Sequence, residues 1–237
     1  MSIFGRKIMD SSAKLRQLLP AQPCLLCGAP SRHGIWCPAC DAALPALDAA
    51  PSCPRCALPT PDGSLCGRCL KRPPAFDRTV AAFAYAFPLD KLVQALKYGE
   101  QLALAKALAE RLAARIAHRP DLVLPMPLHP ARLRARGYNQ SLELARHLAG
   151  RLELPLLADG AQRIRDTTPQ SSLPWKARKR NVRNAFACGA SLHGLHVAIV
   201  DDVMTSGATL DELARTLRRA GAQEISVWVV ARTVRRG

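Results

Sequence analysis

Eight cysteines fall into four Cys-x-x-Cys pairs, all before residue 70: Cys24/Cys27, Cys37/Cys40, Cys53/Cys56 and Cys66/Cys69. The spacers "GAPSRHGIW" and "ALPTPDGSL" both have nine residues, and the whole unit repeats at a constant offset of 29. That is an internal duplication. A tight turn brings two thiolates onto one tetrahedral Zn²⁺, and a second turn closes the site. Sulfur in all four positions leaves none for water, so such sites are structural. The region has few large apolar residues per turn, so metal replaces a core. The expected pairing is sequential: Cys24, Cys27, Cys37 and Cys40 in one site, then Cys53, Cys56, Cys66 and Cys69 in the next. Disulfides, iron–sulfur ligation and an interleaved pairing of the four knuckles satisfy the same spacing. No βαβ pattern surrounds the pairs, which argues against thioredoxin-like redox chemistry. His33 lies between two pairs and reads as a surface residue. Cys188 stands alone and reads as a small buried hydrophobe.

The thiols are expected to be reduced. The N-terminal "MSIFGRKIMDSSAKLRQLLP" lacks a continuous apolar run, so it reads as a short amphipathic helix and not as a secretory signal. No stretch approaches the ~18 apolar residues of a membrane span. The expectation is a cytoplasmic protein with no membrane span.

The 237 residues suit one medium domain plus a small one. Hydrophobic residues make up 49%, so a packed core is within reach and global disorder is excluded. The net charge of +16 attracts polyanions: nucleic acid, a polyphosphate metabolite or anionic lipid. The Arg- and Ala-favouring codons of a GC-rich genome account for the same excess without a partner.

From about residue 75 the pattern changes. Strands are expected at 76–87, 122–128, 195–203 and 224–234. Helices are expected at 89–119 (broken near Tyr98-Gly99), 136–152 and 209–222. Short apolar runs alternating with helices predict an α/β fold, a doubly wound and mostly parallel sheet. Ligands of such folds bind at the carboxyl ends of the strands. One stretch, 162–186, is polar, basic and interrupted by prolines. Loops this long in compact domains are usually functional or disordered.

The stretch "VAIVDDVMTSGATL" (197–210) carries the chemistry. Val197–Val200 reads as a buried strand, with Asp201 and Asp202 emerging at its carboxyl end. Thr205, Ser206, Gly207, Ala208 and Thr209 follow, and a helix begins. Small residues let backbone N–H groups converge on one centre, and the helix N-terminus adds its dipole. That is a cradle for one phosphate. Two carboxylates beside it suit two neighbouring hydroxyls, and a phosphate flanked by a cis-diol is a ribose 5-phosphate. Walker, dinucleotide-binding and His-Glu-x-x-His patterns do not occur. The competing bland reading is a strand ending in an Asp turn before a Thr-capped helix.

"VAIVDDVMTSGAT" resembles the type I phosphoribosyltransferase motif. Together with "PMPLHPARLRARGYNQ" (125–140), the segment "TPQSSLPWKARKRNVRNAF" (168–186) and the cysteine pairs, it resembles the ComF family of competence-associated, GntX-like proteins. The resemblance runs from about Cys24 to the end. It implies a double zinc ribbon over 20–73 and a type I phosphoribosyltransferase-like domain over 76–237. It further implies that Asp201 and Asp202 hold the ribose hydroxyls of phosphoribosyl pyrophosphate (PRPP) and Thr205–Thr209 its 5-phosphate. The Pro127–Gln140 segment then supplies the pyrophosphate loop, with Arg132, Arg134 and Arg136 facing pyrophosphate, Gly137 allowing close backbone approach and Lys97 a weaker phosphate candidate; the bland reading of "ARLRARG" is a solvated helix start. Lys176, Arg178 and Arg180 belong to a lid over the pyrophosphate. Mg²⁺ accompanies PRPP, and Zn²⁺ fills the cysteine sites. Single-stranded DNA and a competence helicase or other DNA-processing protein are the implied partners. The rival function is a non-catalytic module that stacks Trp175 on a base of single-stranded nucleic acid. In that case the PRPP site is regulatory or vestigial.

Overall fold

The computed structural model describes residues 21–32, 34–47, 51–166 and 182–234. The N-terminal amphipathic segment, His33, Trp175, Lys176, Arg178 and Arg180 lie outside the described residues. The chain divides into two compact units, Met1–Leu44 and Pro45–Gly237.

The first unit is a single cysteine knuckle pair. Strand β1 (Gln22–Pro23) runs antiparallel to β2 (Pro30–Ser31), and α1 (Pro38–Ala42) follows. Gly28, at φ 74°, closes the first turn, its N–H donating to the Cys24 carbonyl. Trp36 is buried and its Nε1 donates to Asp41 Oδ1 at 2.8 Å.

The second unit begins with the duplicate. Ser52 bridges Pro59, Cys66 caps α2 (Gly67–Lys71), and Ala57 takes the left-handed turn at φ 53°. Shifted by 29 residues, each of these falls on its counterpart in the first unit. The chain then enters β3 (Arg78–Ala84), α3 (Leu89–Tyr98) and α4 (Ala103–Ala113). Next come β4 (Leu122–Pro125), α5 (Pro130–Arg136) and α6 (Gln140–Leu152). The ribbon strands β5 (Ala161–Arg163) and β6 (Phe186–Cys188) precede β7 (His196–Met204), α7 (Ala208–Arg219) and β8 (Glu224–Arg232).

Strands β3, β8, β7 and β4 form one all-parallel sheet in that order. The parallel α/β architecture expected from the sequence is therefore present. The central strands read as apolar runs because both faces are covered. Val197 and Ile199 of β7 join one cluster with Leu210, Leu213 and Leu217 of α7. Ala198 and Val200 are equally buried on the opposite face, where α6 packs on β7 and β4, and α4 packs on α6. The buried leucines of α4, at 104, 108 and 112, follow helical spacing. Each contributes roughly 2 kcal/mol by burial.

Two segments differ from expectation. The helix expected from residue 136 starts at Gln140, where the Asn139 side chain accepts the Ser141 N–H. A separate helix, α5, precedes it, begun by Pro130 and ended by Gly137 at φ 82°. The stretch 162–186 is not irregular throughout: its two ends pair antiparallel, with Arg163 opposite Phe186. Three-residue strands joined across more than twenty residues leave no local period to detect. Cys188 sits on this ribbon, half-buried against the apolar cluster, its Sγ directed at the Ala190 carbonyl. Among the described residues no helix is long and apolar enough to cross a membrane.

Candidate functional site

A cavity of about 280 Å³ opens at the carboxyl ends of β3, β4 and β7. Its floor is the end of β7. Asp201 Oδ1 accepts the buried Ser141 hydroxyl at 2.9 Å and the Asp202 N–H at 2.9 Å. Asp202 Oδ1 accepts the Val203 N–H at 2.7 Å, and its Oδ2 lies 2.8 Å from Lys97 Nζ. Burial pushes the Asp201 carboxyl up to about 7, and the adjacent Asp202 charge adds to the rise; Lys97 and the Ser141 hydrogen bond oppose it. Burial works to lower the Lys97 ammonium, but the Asp202 carboxylate outweighs it and holds the pKa above its ordinary value. Two carboxylates, a lysine and a hydroxyl thus form one charged network beneath the cavity.

One wall is the loop Thr205–Thr209, which lines the cavity throughout. Gly207 has φ 78° and stands at the N-terminus of α7. The left-handed conformation favours glycine here; a Cβ would meet only the flexible end of Met204, its Cε at 2.7 Å. The Ser206 hydroxyl accepts the Ala208 N–H at 3.2 Å. A twelve-residue helix aimed at this loop favours an anion.

The opposite wall is basic. Arg132 and Arg136 line the cavity, whereas Arg134 and Gly137 do not. Helix periodicity separates them: 132 and 136 are one turn apart on α5, and 134 points elsewhere. Gly137 serves as the left-handed cap of α5. Arg136 hydrogen-bonds Gln140 Oε1 and lies over the exposed Tyr98 ring, 5.0 Å from its centroid. Lys97, the weaker sequence candidate, is placed at the centre. Lys176 and Arg178 fall outside the described residues.

Tyr85 and Ser141 carried no signal in the sequence; Gln140 ends the 125–140 segment and Arg163 lies in the basic 162–186 stretch, but neither stood out as a site residue. Arg163 is buried on β5 over Phe186 and lines the cavity, with burial lowering its pKa and Arg132 adding to that effect. It stood at the edge of a stretch without period. Ser141 was concealed as the second residue of a helix.

Eight of the nine cysteines form two separate groups, in the sequential pairing, and none of the nine is in a disulfide. In each group the four sulfurs lie within 4.8 Å of one another. Four sulfurs about 2.3 Å from one tetrahedral zinc are about 3.8 Å apart. Cys27 Sγ and Cys37 Sγ are 3.7 Å apart, and Cys56 Sγ and Cys66 Sγ 3.6 Å. The donors fit structural zinc in both, and the interleaved pairing is excluded.

Comparison with known proteins bears on both regions. The double zinc ribbon domain model matches residues 14–70, and the phosphoribosyl transferase domain model matches residues 139–236. Competence protein F of Haemophilus influenzae is 37% identical over 168 residues, 66% of this chain and 73% of that protein. The DNA utilization protein YhgH of Escherichia coli K12 is 36% identical over 167 residues, 67% of this chain and 74% of that protein. Among solved structures, the glutamine PRPP amidotransferase of B. subtilis complexed with ADP and GMP aligns at 21% identity, with a TM-score of 0.40. That alignment spans 57% of this chain and only 30% of the enzyme. The fold assignment rests on the strand order and the two domain models.

Proposed function

The chain belongs to the family of Competence protein F and the DNA utilization protein YhgH, and on that premise we propose that it binds PRPP and transfers its phosphoribosyl group to a nitrogen acceptor. The observation that carries this reading is the placing of Asp201, Asp202 and the Gly207 loop around one cavity at the end of β7. In this reading residues 20–73 form the double zinc ribbon and 76–237 the phosphoribosyltransferase-like domain.

Asp201 and Asp202 accept hydrogen bonds from the ribose 2- and 3-hydroxyls, and the Thr205–Thr209 backbone N–H groups donate to the 5-phosphate. Arg132 and Arg136 face the pyrophosphate with forked, permanently charged groups, joined by Arg163. Lys97 neutralises Asp202 in the free protein and turns to phosphate when the diol takes its place. By the family resemblance Lys176 and Arg178, outside the described residues, are assigned to the pyrophosphate charge. Two carboxylates in one cavity offer the hard oxygen donors that Mg²⁺ prefers, and when bound with PRPP it offsets charge on the pyrophosphate. In the reaction the bond from C1 to the pyrophosphate oxygen breaks, and a bond from the acceptor nitrogen forms. The protein acts by positioning, charge stabilisation and water exclusion, with no protein nucleophile.

The test is calorimetric titration with PRPP and Mg²⁺. The Asp201→Asn/Asp202→Asn double variant is expected to lose at least about 100-fold in affinity, the equivalent of two charge-assisted hydrogen-bond groups. Unchanged affinity would overturn the assignment. The names of the relatives and the charge of +16 favour a second activity, contact with single-stranded DNA or a DNA-processing partner. Its measure is the salt dependence of single-strand affinity; a slope near zero removes it.

A further inference from the structure

Arg232, the last residue of β8, is 1% exposed and carries a charge in the core. Its Nε donates to the Cys56 carbonyl at 2.8 Å. Its Nη1 donates to the carbonyls of Met204, at 2.9 Å, and of Thr205. A single side chain therefore ties the second cysteine knuckle to the first residues of the phosphate loop. Among the described residues it has no carboxylate partner. Burial lowers the pKa of its guanidinium and the Arg68 charge adds to that effect, while Cys56 and Cys66 favour the charged form. A dication held by four thiolates carries two net negative charges, which is the countercharge a buried guanidinium requires. Two more contacts follow the same line. Arg68, on α2 between Cys66 and Cys69, donates to the Ser206 carbonyl at 3.3 Å. Cys53, Cys56 and Cys69 share an apolar cluster with Met204, which lies directly beneath Gly207.

We propose that the second cysteine quartet, acting through Arg232, sets the shape of the Thr205–Thr209 loop. Metal at Cys53, Cys56, Cys66 and Cys69 then governs phosphate binding in the cavity, and metal at Cys24, Cys27, Cys37 and Cys40 does not. This rests on the PRPP reading for its ligand but not for its mechanics. Arg232 is a positioning residue: it holds the start of the loop by the Met204 and Thr205 carbonyls. Loss of the metal removes the countercharge, frees the guanidinium and slackens the Met204–Thr205 turn.

The experiment uses the full-length, zinc-loaded chain and two readouts: amide exchange of residues 204–209 and PRPP affinity. In Arg232→Gln, with both zinc equivalents retained, exchange in that segment is expected to rise at least about 10-fold and PRPP affinity to fall at least about 10-fold. Arg232→Lys, which keeps the charge but cannot fork, is expected to fall between. Cys66→Ser should reproduce the Gln variant, and Cys37→Ser, its counterpart 29 residues earlier, should leave both readouts at wild type. Should Cys66→Ser fail to fold, the Arg232 pair decides the matter. Unchanged exchange in Arg232→Gln overturns the proposal. So does equal loosening by Cys37→Ser and Cys66→Ser. Raised exchange in Arg232→Gln with no PRPP binding by the wild type supports the brace and removes the PRPP reading.

Discussion

The two cysteine knuckles are one backbone used twice, yet they do different work. Strand bridge, left-handed turn and short helix coincide at a shift of 29 residues. Their surroundings do not. In the first quartet Cys27 is exposed and Cys40 half-buried; in the second, Cys53 and Cys56 are wholly buried and only Cys66 is partly open. The second knuckle is tied to the sheet: Thr79 donates its N–H to Pro54 and its hydroxyl to Arg55. Ala39 in the first copy stands where the second has Arg68, which donates to the Ser206 carbonyl of the Thr205–Thr209 loop. Duplication thus supplied a self-contained metal-held fold, and one copy was absorbed into a larger core. A metal site that needs no core of its own can be moved there intact.

The largest effect expected from this difference is on stability. Cys53→Ser removes a donor from a buried site and should destabilise the large unit by about 3–5 kcal/mol. Cys24→Ser, the equivalent position, should lower only a transition belonging to the small unit. Differential scanning calorimetry of the zinc-loaded chain separates the two. A common loss in both variants would mean that the copies are not independent.

The cavity beside the second copy should show the opposite sign. Asp201 has a pKa of about 7 in the folded protein against an ordinary 3.8. The native state therefore holds a proton that the unfolded chain has already released, and stability falls as pH rises from about 4 through 7. Asp201→Asn carries no such penalty. It should raise Tm at pH 8 by roughly 4–8 °C, corresponding to about 2 kcal/mol, and change it little at pH 4. The groups facing the carboxyl, namely Asp202, Lys97 and Ser141, remain in place. A stabilised variant with weakened PRPP binding would mark the carboxylate pair as a site kept at the expense of stability. An unchanged Tm at pH 8 would mean that Lys97 alone compensates both charges.

A smaller effect tests the contact that distinguishes the copies. Arg68→Ala deletes one hydrogen bond of 3.3 Å at the surface. The expected loss in PRPP affinity is about 2–5-fold, or ~0.5–1 kcal/mol. Titration calorimetry measures it, and no loss would leave the Arg232 hydrogen bonds and the Met204 packing to hold the loop to the knuckle.

Some of this was legible in the sequence and some was not, for reasons that lie in the physics. Cys-x-x-Cys spacing is set by the reach of one turn, so both quartets could be read directly. Strand β7 is legible because burial on both faces leaves four consecutive apolar residues before Asp201. Helix α5 was legible only as the alternative reading, a solvated helix start, because "ARLRAR" buries nothing and so has no apolar stripe. The ribbon of β5 and β6 was missed because its pairing is long-range. Arg232 could not be distinguished from any basic residue near a strand end; its meaning depends on Cys56, 176 positions away. The same holds for Ser141, which meets Asp201 across 60 positions. Residues grouped by local spacing were visible; residues brought to the cavity by long-range pairing, Arg163 and Ser141 among them, were not.

The smallest prediction separates shared backbone from different surroundings. Gly28 and Ala57 occupy the same turn in the two copies, at φ 74° and 53°. A Cβ at Gly28 meets nothing within 4 Å, so Gly28→Ala adds no clash and tests the backbone conformation alone. The left-handed region costs an L-residue about 1 kcal/mol, partly offset by the smaller entropy of the unfolded chain. Ala57 bears that cost already, but its methyl is buried within the cluster of the large unit, and such burial returns roughly 0.8 kcal/mol. Gly28→Ala is therefore expected to lower the small unit's stability by under about 1 kcal/mol, with both zinc equivalents retained. Ala57→Gly, although it relieves the same turn, should give no gain. If Ala57→Gly instead stabilised the large unit by more than about 1 kcal/mol, the methyl would be no part of its packing, and the second knuckle would be less integrated than its burial indicates.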